Sequence, residues 1–207
     1  MKVTVESYDK DKDGVDLLAE QPFSELLSKA REGKWDGYHA GFPCTSFSKL
    51  RWWECKGYPG PCRSRQHPCG LPGNSKALQE ECDQGTLHAS RSLMMSEVIL
   101  NARPQDRIKP AVTVENPPPS EHDQHCSAWE LPEVHHAVEQ MDWTKVIFTT
   151  CHFQREVELG KRLFKPQMFA GSLLGLRELA GTCPCGKADH IPIVGKERSV
   201  ASGHYPS

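Results

Sequence analysis

A chain of 207 residues is long enough for one core of ordinary size and too short for two comfortable domains. Its formal charge of -2 and isoelectric point near 6.5 exclude a globally basic nucleic-acid binder, so contact with nucleic acid has to come from a local patch. No apolar run of about 18 residues and no apolar leader occurs, which argues against a membrane span or secretion and for an intracellular protein, in which nine irregularly spaced cysteines read as thiols or metal ligands rather than a disulfide framework.

The run Lys2-Val3-Thr4-Val5-Glu6 is read as a strand from its β-branched content, and Asp9, just past it, stands where an acidic residue can hold a nucleotide ribose, with Glu6 a poorer second. The same Asp9 also reads as one charge of the solvated run Asp9-Lys10-Asp11-Lys12-Asp13. Val15-Asp16-Leu17-Leu18 follows as a short strand or strand end. Phe23, Leu26, Leu27 and Ala30 recur at helical spacing, with Pro22 before them and Gly33 after, and specify an amphipathic helix. Residues 35–42 read as the next strand. It runs into Gly41-Phe42-Pro43-Cys44-Thr45-Ser46-Phe47-Ser48, where a Pro-bounded turn carries Cys44 to a strand end, a place suited to a reachable thiolate or, alternatively, to a small buried thiol.

Between Lys49 and Lys76 six Lys/Arg face the single Glu54, and Trp52, Trp53 and Tyr58 are interleaved. This Cys/Pro/Gly-rich insertion, over about residues 49–83, suits a phosphate backbone and unstacked bases, or is an ordinary exposed loop. Residues 87–103 form a second helix with Met94, Met95, Val98, Ile99 and Ala102 on its core face. Ala111-Val112-Thr113-Val114-Glu115-Asn116 is a strand ending in a carboxylate and an amide, and Pro117-Pro118-Pro119 prevents a helix from starting at once. Residues 134–141 are helical, and Lys145-Val146-Ile147-Phe148-Thr149-Thr150 is a strand. A last apolar strand lies near residues 167–170. Strands alternating with helices point to a mostly parallel sheet covered on both faces, with ligands at the carboxyl ends of its strands. Cys183, Cys185 and His190 make a C-x-C with one histidine, an incomplete zinc set, so no metal is assigned.

Pro43-Cys44-x-x-Phe47-Ser48 followed downstream by Glu115-Asn116 at a strand end resembles the cytosine-C5 methyltransferase family, in which a nucleophile and a base-gripping glutamate occupy these two places. Residues 6–18, Cys151-His152-Phe153, Lys165-Pro166 and Tyr205-Pro206 line up with a divergent branch of it. The resemblance implies a Rossmann-like class I methyltransferase fold over residues 1–207, S-adenosylmethionine as cofactor, and nucleic acid as partner, DNA ahead of RNA. It implies Cys44 adding to C6 of a flipped cytosine, Glu115 holding the N3 edge, C5 taking the methyl group, and loss of the C5 proton expelling the cysteine. Arg162 and Lys165 are the basic residues expected to steady the cytosine and its phosphate, or else surface charges. Asp9, Asp16, Pro43 and Asn116 are the expected cofactor contacts, Asp16 at the adenine.

The family's first strand and Gly-rich loop should precede Lys2 and are not in the chain, so a gap is expected beside the strand at residues 35–42, filled by an upstream segment or by a strand-donating partner. Two further readings stand beside the enzyme. One is a nucleic-acid-binding fragment that keeps the basic loop without turnover. The other is an amino-group methyltransferase in which Asn116-Pro117-Pro118 grips an exocyclic nitrogen, although Pro119 stands where that motif carries an aromatic.

Overall fold

The computed structural model describes residues 4–52, 59–105, 109–152, 161–181, 183, 185, 186 and 189–191. Its elements in chain order are α1 (Lys10–Asp13), α2 (Glu20–Arg31), β1 (Gly37–Gly41), α3 (Lys76–Ala102), β2 (Ala111–Asn116), α4 (Pro132–Gln140), β3 (Thr144–Thr149), β4 (Arg162–Leu163), β5 (Pro166–Gly171) and β6 (His190–Ile191). The architecture is α/β, with one four-stranded mixed sheet in the order β1-β2-β5-β3 and a two-stranded ribbon of β4 and β6. β1, β2 and β3 run one way, and β5 is antiparallel to both of its neighbours. The start of β5 therefore lies at the same end of the sheet as the carboxyl ends of the other three.

α2 forms where the apolar spacing places it: Phe23, Leu26, Leu27 and Ala30 are its buried residues, and Gly33 beyond its end takes a φ of +69°, which an L side chain adopts only with strain. Burial of each of the three large side chains contributes on the order of 1.5–3 kcal/mol. α3 packs against β1 and β2, and α2 and α4 pack on α3. α3 begins well before the expected residue 87, because Ser75 caps it by accepting from the Leu78 N–H at 3.3 Å while the first turns are too polar to show an apolar stripe. The inserted segment accordingly ends near residue 75 rather than 83. Met95 and Ile99 are buried in the core as expected, whereas Met94 is exposed.

Alternation along the strands sorts the sheet into two faces. Val112, Val114, Met168 and Ala170 belong to the core, with Tyr38 and Ala40 packed against it. His39, Thr113, Glu115, Gln167 and Phe169 alternate with those residues onto the opposite face.

Two expected strands do not form. Residues 4–9 are irregular and lead into α1, and residues 15–18 are irregular and turn, while Lys2 and Val3 lie outside the described residues. Local polar chemistry is the reason. The Asp9 carboxylate accepts from the Asp11 and Lys12 N–H groups at 2.8 and 3.2 Å and starts a helical turn, and the Asp16 carboxylate accepts from the Leu18 N–H at 2.9 Å and turns the chain. At the sheet's end β1 pairs with β2 alone among the described residues.

Candidate active site

Cys44 lies three residues past the end of β1 and starts the 3-10 turn Thr45–Phe47. Three neighbours fix that turn from beneath. Phe47 is buried against Phe42 edge to face, its carbonyl accepts from His125 Nε2 at 2.8 Å, and the Arg63 guanidinium lies 4.1 Å from its ring centre. Gly85 of α3 lets the turn approach, since a Cβ there would stand 2.6 Å from Ser46 Oγ. At the other strand end, the buried Asn116 amide donates to the Phe42 carbonyl at 3.1 Å, while the Asn116 carbonyl accepts from Trp129 Nε1 at 3.2 Å. β1 and β2 are thus pinned side chain to main chain at the point where Cys44 and Glu115 emerge.

Glu115 sits opposite Gly41 in the parallel register, and a Cβ on Gly41 would come within 3.4 Å of Glu115 Oε2. Gln167 at the start of β5, 1% exposed, donates to Glu115, and its own Oε1 has no partner among the described residues. His39 Nε2 lies 3.9 Å from Glu115 Oε2, and its Nδ1 shares a 2.9 Å hydrogen bond with Thr113 Oγ1.

Electrostatics joins Cys44, Glu115 and Lys165, the last residue before β5. Burial pushes the Cys44 thiol above its ordinary value, the Lys165 charge pulls it back, and the Glu115 charge adds to the upward push. Burial likewise raises Glu115, opposed by Lys165 and by the Gln167 hydrogen bond. In both groups burial wins, so the resting site holds a protonated thiol beside a carboxyl group that retains its proton more readily than one in water. Such a site offers a latent nucleophile past the end of β1 and a proton donor near the end of β2, with Lys165 just before β5.

Arg162 is elsewhere. Its Nη1 donates to the Cys151 carbonyl at 2.9 Å and lies 3.9 Å from Cys185 Sγ. Asn116 is 2% exposed and faces inward, so it braces the Cys44 turn instead of meeting a cofactor or gripping an exocyclic nitrogen. Pro43 is exposed beside Cys44. Asp9 Oδ1 caps α1, and Asp16 Oδ2 accepts from Lys10 Nζ at 2.7 Å.

Two cations of the basic insertion are turned inward, while Lys49, Arg65 and Lys76 are exposed. Arg63 is 2% exposed, with Nη1 donating to the Pro68 carbonyl and Thr86 Oγ1 and Nη2 to the Cys82 carbonyl. Arg51, 5% exposed, pairs with Glu81 and donates to the Thr45 carbonyl at 2.8 Å. Arg65 binds Glu130 at 2.7 Å. Two of the expected phosphate contacts are therefore interior braces of the Cys44 turn. Trp52 stacks near His122, with ring centres 4.8 Å apart, and Trp53, Lys56 and Tyr58 lie outside the described residues.

A second cluster lies past the carboxyl end of β3. Cys183, Cys185 and His190, incomplete as a set in sequence, meet Cys151, and the four ligand atoms lie within 4.8 Å of one another. Gln167 and His39 escape sequence reasoning because they stand on other strands than Glu115, and Cys151 is marked in the sequence only within Cys151-His152-Phe153, not as a ligand. Comparison with protein-family models, with curated proteins and with solved structures finds no match for this chain.

Proposed function

We propose that the sheet edge carrying Cys44, Glu115 and Lys165 is a nucleophilic-cysteine site of the cytosine-C5 methyltransferase kind, acting on cytosine in nucleic acid. The observation that carries this reading is the convergence of the three groups from β1, β2 and the start of β5, close enough for their charges to act on one another. Cys44 first loses its proton to solvent. Sγ then bonds to C6 of the base, the C5–C6 π pair moves into the ring, and N3 takes the proton of the Glu115 carboxyl. The elevated affinity of Glu115 for its proton suits that transfer, and Lys165 supplies the positive charge that holds Glu115 as the carboxylate left behind. C5 is left electron-rich. The methyl donor implied by the resemblance is S-adenosylmethionine, which would supply the methyl group that C5 takes.

Addition at C6 is testable without the donor, because a C5-activated adduct exchanges its C5 hydrogen with water. An oligonucleotide carrying cytosine tritiated at C5 is expected to release tritium in the presence of the protein, release is expected to vanish in Cys44→Ser, and Glu115→Gln is expected to slow it. Release that is absent, or that survives Cys44→Ser, overturns the reading. With S-adenosylmethionine added, 5-fluorocytosine in the oligonucleotide is expected to trap a covalent adduct on Cys44.

A further inference from the structure

β3 ends at Thr149, and a 3-10 turn over Thr150–His152 buries Cys151. The chain returns to the same place after β5, through a parallel bridge between Gly181 and Phe148, which sets Cys183 beside Cys151 two residues later. The Gly186 N–H to Asp189 carboxylate bond at 2.8 Å turns the chain, and β6 then pairs parallel to β4, with His190 opposite Arg162. Three ligands thus come from one short returning segment and the fourth from a strand end more than thirty residues earlier in the sequence.

We propose that Cys151, Cys183, Cys185 and His190 bind one Zn2+ in a closed structural site, and that the bound zinc holds Lys165 in register with Cys44 and Glu115. Zn–S bonds of about 2.3 Å place tetrahedral sulfur ligands about 3.8 Å apart, so atoms already within 4.8 Å reach that geometry by small rotations. His190 Nε2 and Cys183 Sγ are 3.1 Å apart, which identifies Nε2 as the ligand nitrogen. Three thiolates with one imidazole in tetrahedral disposition select zinc over the oxygen-seeking cations, and four protein ligands leave no open position for catalysis.

The surroundings match. Three thiolates and Zn2+ sum to a single negative charge, which Arg162 Nη1, 3.9 Å from Cys185 Sγ, offsets while also binding the Cys151 carbonyl. The Cys185 N–H donates to Cys183 Sγ at 3.3 Å, the kind of outer contact that orients a thiolate. All the described cysteines are unbridged. Arg162 is thus drawn away from Cys44 for a reason, as the counter-charge of this centre.

The link to the first site is short. β4 carries Arg162 and leads through Phe164 to Lys165, whose carbonyl accepts from the Thr150 N–H at 3.0 Å, next to Cys151. Lys165 therefore hangs between the ribbon that the cluster fixes and the first residue of β5.

The full chain, produced in zinc-supplemented medium and purified without chelator, is expected to contain about one zinc per chain by elemental mass spectrometry, and Co2+ exchanged for it is expected to show the visible bands of a tetrahedral thiolate site. Cys185→Ser and His190→Ala are expected to lose the metal, His190→Cys to keep it, and Cys69→Ser, at an exposed cysteine away from the cluster, to keep it. Arg162→Ala is expected to weaken zinc on the order of tenfold or more. A purified chain with no zinc that gives no cobalt spectrum overturns the site, as does full retention in both Cys185→Ser and His190→Ala. The link is read separately, by peptide-level mass spectrometry of iodoacetamide modification at Cys44. Zinc removal is expected to move the pH midpoint of that modification upward, as Lys165→Met does, and to have no added effect in Lys165→Met. An unchanged midpoint after zinc removal refutes the link. Neither readout requires substrate, so each can fail while the cytosine chemistry stands, and the reverse.

Discussion

The Cys44 turn and the Cys/His end of the sheet are held in opposite ways. Around Cys44 the bracing is interior: Phe47 is buried, Arg63 and Arg51 reach up from the inserted segment, and Gly85 lets α3 lie close. Around Cys183 it is thin, since the ribbon is two residues long on each side and Cys183, Cys185 and His190 are all only partly buried. The described residues of this segment bury little apolar surface, and the tetrahedral ion proposed above is the cross-link that would fix them. The comparison teaches that the same residue types do different work according to burial. Cationic side chains brace the first region through carbonyls, and thiols brace the second through a metal.

The largest expected effect is at Arg63, whose removal leaves carbonyls unpaired in the interior. Arg63→Ala is expected to cost about 3 kcal/mol of stability in urea denaturation, in line with charged hydrogen bonds at about 1.5–3 kcal/mol each. A loss below about 1 kcal/mol would return Arg63 to the surface role that its place in a basic loop first suggested.

Next comes Gly85→Ala. Alanine in an exposed helix interior is favoured over glycine by about 1 kcal/mol, but a Cβ here meets Ser46 Oγ at 2.6 Å and both Phe47 and Arg63 at 3.2 Å. Overpacking of this sort costs about 1–3 kcal/mol, so the net sign is expected to be destabilising, and thermal or urea unfolding decides it.

A smaller effect, in rate rather than stability, concerns the thiol itself. Because burial raises Cys44, its modification by iodoacetamide is expected to accelerate with pH up to a midpoint above that of an ordinary thiol. Glu115→Gln removes a negative charge and is expected to lower that midpoint, while Lys165→Met removes a positive one and is expected to raise it. Both variants shifting the same way would break the three-residue arrangement.

The smallest effect is a pH slope. Glu115 holds its proton more tightly folded than unfolded, so the folded chain binds more protons, and stability is expected to fall as pH rises from the ordinary carboxyl value of 4.5 through the raised folded one. Glu115→Gln is expected to flatten that part of the pH–stability curve in urea midpoints taken across it.

What the sequence determined by itself is whatever depends on neighbours along the chain. The helical spacing of Phe23, Leu26, Leu27 and Ala30 produced α2, the β-branched runs produced β2 and β3, and strand ends at Cys44 and Glu115 were legible because a turn signal follows each run. The N-terminal strands failed for a local reason too, since Asp9 and Asp16 offered the backbone nearer hydrogen-bond partners than any strand could. Tertiary structure alone decided which charges are interior. Arg63 and Lys49 look alike in a basic loop, and only the packing of α3 beneath Phe47 buries the one and leaves the other exposed. It likewise decided that β5 inserts antiparallel between β2 and β3, which brings Lys165 to the Cys44 edge and Gln167 to Glu115, and that the chain returns past Phe148 to complete with Cys151 a ligand set whose members are scattered in sequence. Ligand sets and charge constellations are sums over distant pairs, and no periodicity within a single segment encodes which distant pairs will meet.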